Sequence, residues 1–285
     1  MNEILHPCFD ETALGYRIHL PIAEKCNTKC NYCKMAFSKC DIRPGVTEEL
    51  LRSSDIDAYV NESLKIYDDC RIVGIAGPGD PLANPKEVFY ALERISKNYP
   101  NFKKCMCTNG FGVEDYADKI KEVGLDYITL TINSINECTL SKIYKFIYYH
   151  GEYYKGKSAG QLILKLQKSA LHILNRFENI KIKINIVFIP GINDMEIDDL
   201  IQFLCKYKID IINIVPLLPV NGTEYESIKP LTYGEFDKIK KDLQNKYKKV
   251  RFKQNCQRCR SDARGKVTAQ REGNNNQCSF GYAGL

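Results

Sequence analysis

Residues 17–33, RIHLPIAEKCNTKCNYC, join an apolar segment to three closely spaced cysteines. The apolar part, Arg17–Ala23, has the composition of a β-strand, and Cys26, Cys30 and Cys33 follow it directly. Three thiolates at this spacing can bind three irons of a [4Fe–4S] cluster and leave the fourth iron open to a small molecule. A structural zinc site would need a fourth ligand and usually pairs two separate cysteine knuckles, so the pattern favours the cluster.

More segments with strand character follow, each separated from the next by an amphipathic segment of helical length. The strands are predicted at Ile72–Ala76, Lys103–Thr108, Tyr127–Ile132, Lys181–Ile189 and Ile211–Pro216. The helices are predicted at Glu48–Ile66, Lys86–Asn98, Glu114–Val123, Gly160–Phe177, Met195–Tyr207 and Tyr233–Lys246. This alternation predicts an α/β fold with a parallel sheet. Six such units indicate a partial (βα)6 barrel of the TIM type, with a doubly wound open sheet as the alternative. In a barrel, the loops after the strands build the active site, so we expect the three cysteines there.

The two ends of the chain lack the periodicity of the middle. Residues 1–16 and 254–285 have no helical or strand pattern. The cysteines in them are Cys8, Cys256, Cys259 and Cys278. Terminal segments without a core are normally frayed unless something ties them down, and metal ligation would do so. We therefore expect a barrel over residues 17–253, flanked by two cluster-binding segments that close its mouth, the second ending in a mobile tail.

Thirteen cysteines are an unusual number for a chain of 285 residues without a secretion signal. Cytosolic thiols are kept reduced, so clustered cysteines indicate metal or redox chemistry rather than disulfides. Single cysteines without a close partner are more often ordinary core residues. We assign three of them to the core: Cys70, Cys138 and Cys205.

The net charge of +6 is modest and spread along the chain. The densest basic run, residues 238–249, is interrupted by Asp242, Leu243 and Tyr247, as expected of a solvated helix face rather than a nucleic-acid site. No apolar run approaches the length of a membrane span, and no leader pattern opens the sequence. The sequence therefore predicts a cytoplasmic protein with neither a nucleic-acid nor a membrane partner.

The spacing CxxxCxxC, with Tyr32 before the last cysteine, resembles the signature of the radical S-adenosylmethionine (SAM) superfamily. The resemblance implies that SAM chelates the open iron and that one electron cleaves it to a 5′-deoxyadenosyl radical. The run Gly77–Pro81 closes the second predicted strand, where the family places a glycine-rich contact to the methionine amine. Taken alone, the same run is simply a Pro/Gly turn. The residues that the resemblance implies around SAM are Tyr32, Gly77, Gly79, Asp80, Asn109, Asn133 and Ile189.

Longer phrases resemble the NifB family of nitrogenase-cofactor maturation proteins, in order from residue 6 to residue 262. The most specific are Gly74–Asn84 and Cys256–Arg260; the others are His6–Cys8, Arg17–Pro21, Arg43–Val46, Thr108–Gly110, Thr129–Asn133 and Ile189–Asp194. The resemblance implies a SAM-cleaving, lyase-type synthase that fuses two further [4Fe–4S] clusters. It adds a carbide from a SAM methyl group and a ninth sulfur, and its product is the eight-iron precursor of the nitrogenase cofactor, NifB-co.

Such an activity requires ligands for two accessory clusters besides the SAM-binding one, three clusters in all. The implied sets are Cys8, Cys256 and Cys259 for one accessory cluster and His19, Cys40 and Cys105 for the other. Cys105 and Cys107 share a face of the third predicted strand, so either could be the ligand. In the family, the spacing between the ligand cysteine and Thr-Asn-Gly corresponds to Cys105. The loop that carries Cys40 differs from the family pattern by about one residue in length.

The resemblance also implies partners: an iron–sulfur cluster donor, nitrogenase-maturation carrier proteins, and an electron donor such as a ferredoxin or flavodoxin. Two alternatives remain open. One is a cluster carrier or scaffold, although carriers of the ferredoxin type cover each iron with a protein ligand. The other is a radical SAM enzyme whose accessory clusters help to modify a peptide or small molecule. Reductive cleavage of SAM would exclude the first, and fusion of the accessory clusters would exclude the second.

Overall fold

The computed structural model of the chain describes residues 6–9, 16–254 and 256–266. Its strands are β1 (Tyr16–His19), β2 (Thr28–Cys30), β3 (Ala36–Phe37), β4 (Val46–Thr47), β5 (Ile72–Ile75), β6 (Lys103–Thr108), β7 (Tyr127–Thr131), β8 (Tyr144–Tyr149), β9 (Glu152–Tyr154), β10 (Lys181–Phe188), β11 (Ile211–Pro216) and β12 (Arg264–Lys266). Its α-helices are α1 (Ile56–Ile66), α2 (Pro85–Asn98), α3 (Ala117–Glu122), α4 (Glu137–Ile143), α5 (Gly156–Leu174), α6 (Ile197–Leu204) and α7 (Tyr233–Lys246). None of these described helices combines the length and the apolar character that a membrane span requires.

A curled sheet of seven strands forms the centre of the described chain, in the order β11-β10-β7-β6-β5-β1-β12. Each strand from β11 to β1 in this order pairs in parallel with the next one, while β12 pairs antiparallel with β1. The parallel strands follow one another in sequence order, without the reversal that a doubly wound sheet requires. This half-barrel confirms the predicted partial TIM-like fold.

The strands of the half-barrel are apolar on one face and polar on the other. In β10, Ile182, Ile184 and Ile186 pack in the main apolar core with helix residues such as Leu171 and Leu200. Because side chains alternate along a strand, the residues between them occupy the inner face of the half-barrel. Across the sheet, that inner face carries Arg17, His19, Cys105, Cys107, Thr129, Lys183, Asn185 and Asn213. An inner face with this many polar groups and thiols is a place to bind a ligand rather than to fill a core.

The six predicted barrel strands are confirmed, with a shorter first strand, and the predicted helices correspond to α1, α2, α3, α5, α6 and α7. The sequence predicts no element over residues 133–159, where the structure has α4, β8 and β9. Strands β8 and β9 pair with β2 in a separate three-stranded sheet. Strand β2 is three residues long and its partner is distant in sequence, so no local pattern indicates this pairing.

The described part of the C-terminal segment, expected to be irregular, crosses the barrel mouth and includes the short strand β12. The Arg260 guanidinium donates to the carbonyl groups of Asp41 and Ser38 at 2.7 and 2.8 Å. The Asp262 carboxylate accepts from the Glu48 N–H at 2.6 Å. The segment therefore holds the loop between β3 and β4, and the residue that follows β4, against the half-barrel. Cys278 lies outside the described residues, as does most of the predicted mobile tail.

Candidate iron–sulfur active site

The loop that carries Cys26, Cys30 and Cys33 follows β1 and is held in place by backbone hydrogen bonds. The Cys33 N–H donates to the Cys30 carbonyl at 3.0 Å, which closes a turn between these two residues. The Asn31 N–H donates to the carbonyl of Ile143 at 2.8 Å, at the end of α4. The loop is thus fixed at the barrel mouth, with the three cysteines partly buried.

The three thiols interact electrostatically and are largely removed from water. Burial, with smaller contributions from Asp80 and Cys33, raises the pKa of Cys26 to about 12. Burial and the neighbouring Cys33 and Cys26 raise the pKa of Cys30 well above its usual value. Three such thiols cannot all ionise unless cationic iron compensates their charges, which is the condition under which thiolates bind a cluster. The donor set therefore fits a [4Fe–4S] cluster held by Cys26, Cys30 and Cys33.

The loop after β5 begins at Gly77 and is fastened to the cysteine loop. The Gly79 N–H donates to the Ala23 carbonyl at 2.6 Å. Asn84 forms a pair of bonds with Lys25: its Oδ1 accepts from the backbone N–H at 3.0 Å, and its Nδ2 donates to the carbonyl at 2.8 Å. A side chain on Gly79 would overlap the Lys25 carbonyl, so the close approach requires glycine. The predicted glycine-rich segment therefore lies directly beside the first cysteine of the motif.

Asp80 is buried and joins the loops after β5 and β6. Its carboxylate accepts hydrogen bonds from the Thr108 hydroxyl at 2.9 Å and from the Asn109 N–H at 2.6 Å. The Asn109 side chain donates from Nδ2 to Asn27 Oδ1 at 2.6 Å, inside the cysteine loop. Burial raises the pKa of Asp80 to about 6, although these hydrogen bonds act in the opposite direction. The structure thus links Asp80 and Asn109, both predicted SAM contacts, to the cysteine loop.

Tyr32, Asn133 and Ile189 also come together at the barrel mouth. Asn133 Nδ2 donates to the hydroxyl groups of Tyr32 at 3.1 Å and Tyr144 at 3.3 Å. Asn133 Oδ1 accepts from the Val187 N–H at 2.9 Å, which fixes the amide on the end of β10. Ile189 is fully buried in the apolar cluster that contains Tyr144. Tyr144 is missed by the sequence analysis because it opens β8, an element that the sequence does not predict.

His19 and Cys105 lie on either side of Gly74 on the inner face of the sheet. The strand register places these three residues side by side on β1, β5 and β6. A Cβ on Gly74 would lie 3.2 Å from the imidazole Cδ2 and 3.6 Å from the Cys105 Cβ. His19 Nδ1 lies 3.0 Å from the Arg260 carbonyl and must donate to it, so Nε2 carries the free electron pair. Burial, and then the nearby Arg17, lower the pKa of His19 to about 3, so the imidazole is neutral, as metal binding requires.

Two buried cations on the inner face were not singled out by the sequence analysis. Lys183 is 6% exposed and pairs in register with Thr129, whose neighbour on the other side is Cys107. Arg17 is completely buried, and its Nη2 donates to Cys259 Sγ at 2.9 Å. Arg17 Nε is buried without a hydrogen-bond partner in the described residues. Both cations therefore lie among the thiols of the predicted accessory sites.

The thiol of Cys8 shows the effect of these cations. Burial acts to raise its pKa, but Lys183, His6 and Arg17 together hold the pKa of Cys8 well below its usual value. The pKa of Lys183 is raised: burial acts to lower it, and the thiols around it overcome that effect. Those thiols belong to Cys8, Cys256, Cys107 and Cys105. Cys8 and Cys259 thus lie beside this charged interior, with the exposed Cys256 near Lys183 at its edge. That the three thiols share one cluster stays a prediction.

Cys40 differs from the other predicted ligands. It is exposed in the loop after β3, whereas His19 and Cys105 lie on the inner face of the sheet. Its place beside His19 and Cys105 therefore stays a prediction, and so does the selection of Cys105 over Cys107. Within residues 6–9, 16–254 and 256–266, no three His, Cys, Asp or Glu side chains converge on a site for a single metal ion.

The three cysteines assigned to the core divide into two groups. Cys70 is fully buried beside the start of β5, as predicted. Cys138 and Cys205 are exposed, in the first turn of α4 and at the end of α6, so their assignment to the core is wrong. Helix ends point side chains to solvent more readily than helix centres do, which an amphipathic pattern alone does not reveal.

Comparison with known proteins agrees with this geometry. The family model of the Radical SAM superfamily matches residues 20–204. The chain is 34% identical to the FeMo cofactor biosynthesis protein NifB of Methanocaldococcus jannaschii, over 92% of this chain and 86% of that protein. It is also 34% identical to the protein of the same name from Chlorobaculum tepidum, over 91% of this chain but only 61% of that longer protein.

Among solved structures, Streptococcus suis SuiB matches with a TM-score of 0.59. The match covers 85% of this chain and 50% of the SuiB chain at 15% identity, so it is a likeness of fold alone. Membership of the radical SAM superfamily implies a [4Fe–4S] cluster and SAM as cofactors, in agreement with the thiol set of the cysteine loop. From the match over residues 20–204 and the relatives at 34% identity, the chain belongs to the radical SAM superfamily and, within it, to the family of the FeMo cofactor biosynthesis protein NifB.

Proposed function

We propose that this chain is a radical SAM enzyme of nitrogenase FeMo-cofactor biosynthesis. In the proposed reaction, two [4Fe–4S] substrate clusters are fused, with a SAM-derived carbide and an additional sulfur, into an eight-iron precursor of the cofactor. One observation carries the proposal: the thiols of Cys8, Cys105 and Cys256 lie near Lys183 on the inner face of the half-barrel, and Cys259 contacts Arg17. That face lies on the same strands whose following loops carry the cysteine motif and the predicted SAM contacts.

At the barrel mouth, the chain prepares a site for SAM. When bound, the cluster held by the cysteine motif supplies a 5′-deoxyadenosyl radical by reductive cleavage of SAM. Gly79 leaves space for the close approach of two loops, and Asp80 fixes the loops after β5 and β6 relative to Cys26. Asn133 holds the Tyr32 hydroxyl against the end of β10. These residues position and enclose the reactants.

On the inner face, the chain binds its cluster substrates. A cluster bound by thiolates is anionic, and a buried anion is stable only when it is paired with a buried cation. Lys183 and Arg17 provide that positive charge among the thiols. His19 offers Nε2 beside Cys105, which supports Cys105 rather than Cys107 as the second ligand of its set. Cys40 would complete this set once its loop turns inward.

The proposed activity requires partner proteins. Clusters would come from an iron–sulfur cluster donor, the eight-iron product would leave on a nitrogenase-maturation carrier, and a one-electron reductant would start each SAM cleavage. Three [4Fe–4S] clusters would be present before reaction, one as the resident cofactor and two as substrates.

Replacement of Cys30 tests the resident cofactor. In anaerobically reconstituted protein, Cys30→Ala should abolish 5′-deoxyadenosine formation, because one iron of the SAM-binding cluster loses its ligand. Cys205→Ala is the matched control, since Cys205 is exposed at the end of α6, and it should retain the wild-type rate. Continued SAM cleavage by Cys30→Ala would contradict the assignment of the motif.

Spin spectroscopy of the wild-type protein during turnover tests the fusion itself. The signals of the two substrate clusters should disappear as SAM is consumed and an eight-iron species forms. SAM cleavage with both accessory clusters unchanged would instead indicate an enzyme that acts on a peptide or small molecule. Cluster transfer to an acceptor without any SAM cleavage would indicate a carrier.

A further inference from the structure

The three-stranded sheet of β2, β8 and β9 has an exposed face rich in aromatic side chains. Phe146 and Tyr153 have ring centroids 5.3 Å apart, and Tyr148 and Tyr153 have centroids 4.8 Å apart. Tyr148 is 43% exposed and Tyr153 is 66% exposed, while Thr28 and Ile147 pair on the buried face of the same sheet. We call Phe146, Tyr148 and Tyr153 the aromatic face. Contiguous exposed aromatic side chains are enriched where proteins bind one another.

The aromatic face is connected directly to the cysteine loop. Strand β2 ends at Cys30, one of the three thiols of the motif. Lys29 pairs across the strands with Phe146 and so shares the aromatic face. The Lys29 Nζ donates to the Cys33 carbonyl at 2.8 Å. A protein bound on the aromatic face would therefore be separated from the SAM-binding cluster by little more than one strand.

Basic side chains predominate around the aromatic face. Lys155 and Lys157 are exposed where β9 passes into α5, and Lys29 is half-buried in the face itself. Lys145 is exposed as well, although it is engaged in an ion pair. The acidic residues here are Glu152 in the β8–β9 hairpin, Glu224, which pairs with Lys145, and Asp115, which lies 3.0 Å from the His150 imidazole at the turn. A surface of this charge attracts an acidic partner and accelerates its approach.

We propose that the aromatic face is the docking surface for an acidic one-electron carrier protein that reduces the SAM-binding cluster. The inference rests on the proposed function, because reductive cleavage of SAM consumes one electron per event. One electron passes from the carrier to the cluster; no bond forms or breaks and no proton moves in this step. Electron-transfer encounters are brief and use small interfaces, which suits three aromatic side chains with a rim of lysines.

The test compares a protein reductant with a chemical one. The rate of 5′-deoxyadenosine formation is measured with reduced flavodoxin, an acidic one-electron carrier, below saturation, and separately with dithionite. The variants are Tyr148→Ser/Tyr153→Ser and Lys155→Glu/Lys157→Glu. The matched controls are Tyr233→Ser and Lys238→Glu, both exposed on α7 and outside the aromatic face.

Both double variants should lose about tenfold in the flavodoxin-driven rate, as expected when interface anchors are removed. Their dithionite-driven rates should stay within about twofold of wild type, because exposed substitutions leave the fold intact. The controls should match wild type with both reductants, and added salt should slow only the flavodoxin-driven reaction.

Unchanged flavodoxin-driven rates in both double variants would overturn the docking surface and leave the proposed function standing. Equal losses with flavodoxin and dithionite would also overturn it, because the aromatic face would then serve the structure of the cysteine loop. A wild-type protein that cleaves no SAM with dithionite would contradict the proposed function, and the docking surface with it.

Discussion

Asp80 connects the segments that surround the first cysteine of the motif. Its carboxylate accepts from Thr108 and from the backbone of Asn109, and Asn109 in turn reaches the cysteine loop. Asp80 is 5% exposed, so its ionisation has to be supported by these donors and by the Leu82 N–H, which donates to the carboxylate at 2.9 Å. Burial prevails over them and raises the pKa of Asp80 to about 6. The protonation of one side chain is therefore coupled to the stability of the whole barrel mouth.

Asp80 should make the apo protein less stable as the pH rises through its titration. The folded-state pKa lies above the usual value of 3.8, so the folded chain holds its proton more tightly than the unfolded chain. The stabilisation is complete below about pH 4 and is lost by about pH 6 to 7, a fall of about 3 kcal/mol in the free energy of unfolding. Denaturant unfolding of wild type and Asp80→Asn between pH 4 and 7 measures this fall. The difference in the free energy of unfolding between the two proteins should change with pH.

A control for this titration is Asp242→Asn, an exposed position on α7. Removing this exposed carboxylate shows how much of the effect comes from the change in net charge alone. A constant difference between wild type and Asp80→Asn would show that Asp80 keeps its ordinary pKa in the folded chain.

Residue by residue, the local parts of the site are the parts that can be predicted from sequence. Cys26, Cys30 and Cys33 lie within one loop, so their spacing alone indicates a shared cluster. Lys183 could not be predicted in the same way, because β10 alternates polar and apolar residues. Alternation separates two faces of a strand, yet it does not tell whether the polar face meets water or a charged interior. Arg17 on β1 presents the same ambiguity.

At the scale of elements, the site depends on two loops that run side by side at the mouth of the half-barrel. The loop after β1 carries the cysteines, and the loop after β5 is bound to it through Gly79 and Asn84. Their backbones approach so closely that the Lys25 carbonyl occupies the place of a Cβ on Gly79. Backbone cannot move aside as the end of a flexible side chain can, so the spacing of the two loops is rigid.

Gly79→Ala should therefore separate the two loops and destabilise the fold. We expect the free energy of unfolding to fall by about 3 kcal/mol, the range of an overpacked site with no room to relax. Gly234→Ala is the matched control, because a Cβ at Gly234 in α7 meets no atom within 4 Å. That change should be neutral or stabilise by up to about 1 kcal/mol, since alanine is the better helix former. The denaturation midpoints of the two variants test this expectation. Equal stability of the two variants would show that the loops can separate without loss of stability.

The elements themselves differ in how far the sequence predicts them. The barrel strands are predicted because each is a short apolar or alternating run between segments with a helical pattern. The β8–β9 hairpin is not predicted, since Tyr144 follows Ile143 of α4 without a Gly or Pro between them. The hairpin acquires its place only by pairing with β2, and long-range pairing leaves no periodic signal in either segment. Tyr144 and the aromatic face both depend on this hairpin.

At the scale of the whole molecule, the half-barrel has a thiol-rich interior that both chain ends help to build. His6 and Phe9 pack on Tyr127 with ring centroids 4.7 and 4.8 Å away. Cys259 meets Arg17 from the other end of the chain. The predicted ligand set that contains Cys256 draws on these two segments rather than on the cysteine loop, so the two should be separable in experiment.

Iron content should report this separation. The reconstituted wild-type protein should hold about twelve irons, as three four-iron clusters require. Cys256→Ala should lose about four of them and still cleave SAM, because the cysteine motif is intact. Cys138→Ala, an exposed cysteine of α4, should change neither quantity. Iron quantification beside 5′-deoxyadenosine measurement distinguishes the outcomes, and a parallel loss of SAM cleavage in Cys256→Ala would assign Cys256 to the first cluster instead.

The antiparallel pairing of β12 with β1 also has a consequence for biosynthesis. The Lys253 Nζ donates to the Pro7 carbonyl at 2.8 Å, so the earliest described residues are bound to a segment that follows every barrel strand. A ribosome releases the amino end first, and the early strands can associate while translation continues. The surroundings of Cys8 and Arg17 are nevertheless complete only after Cys259 has been translated. The cysteine loop can thus form early on the nascent chain, whereas the proposed accessory sites can be complete only after the last barrel strand and the segment behind it have been translated.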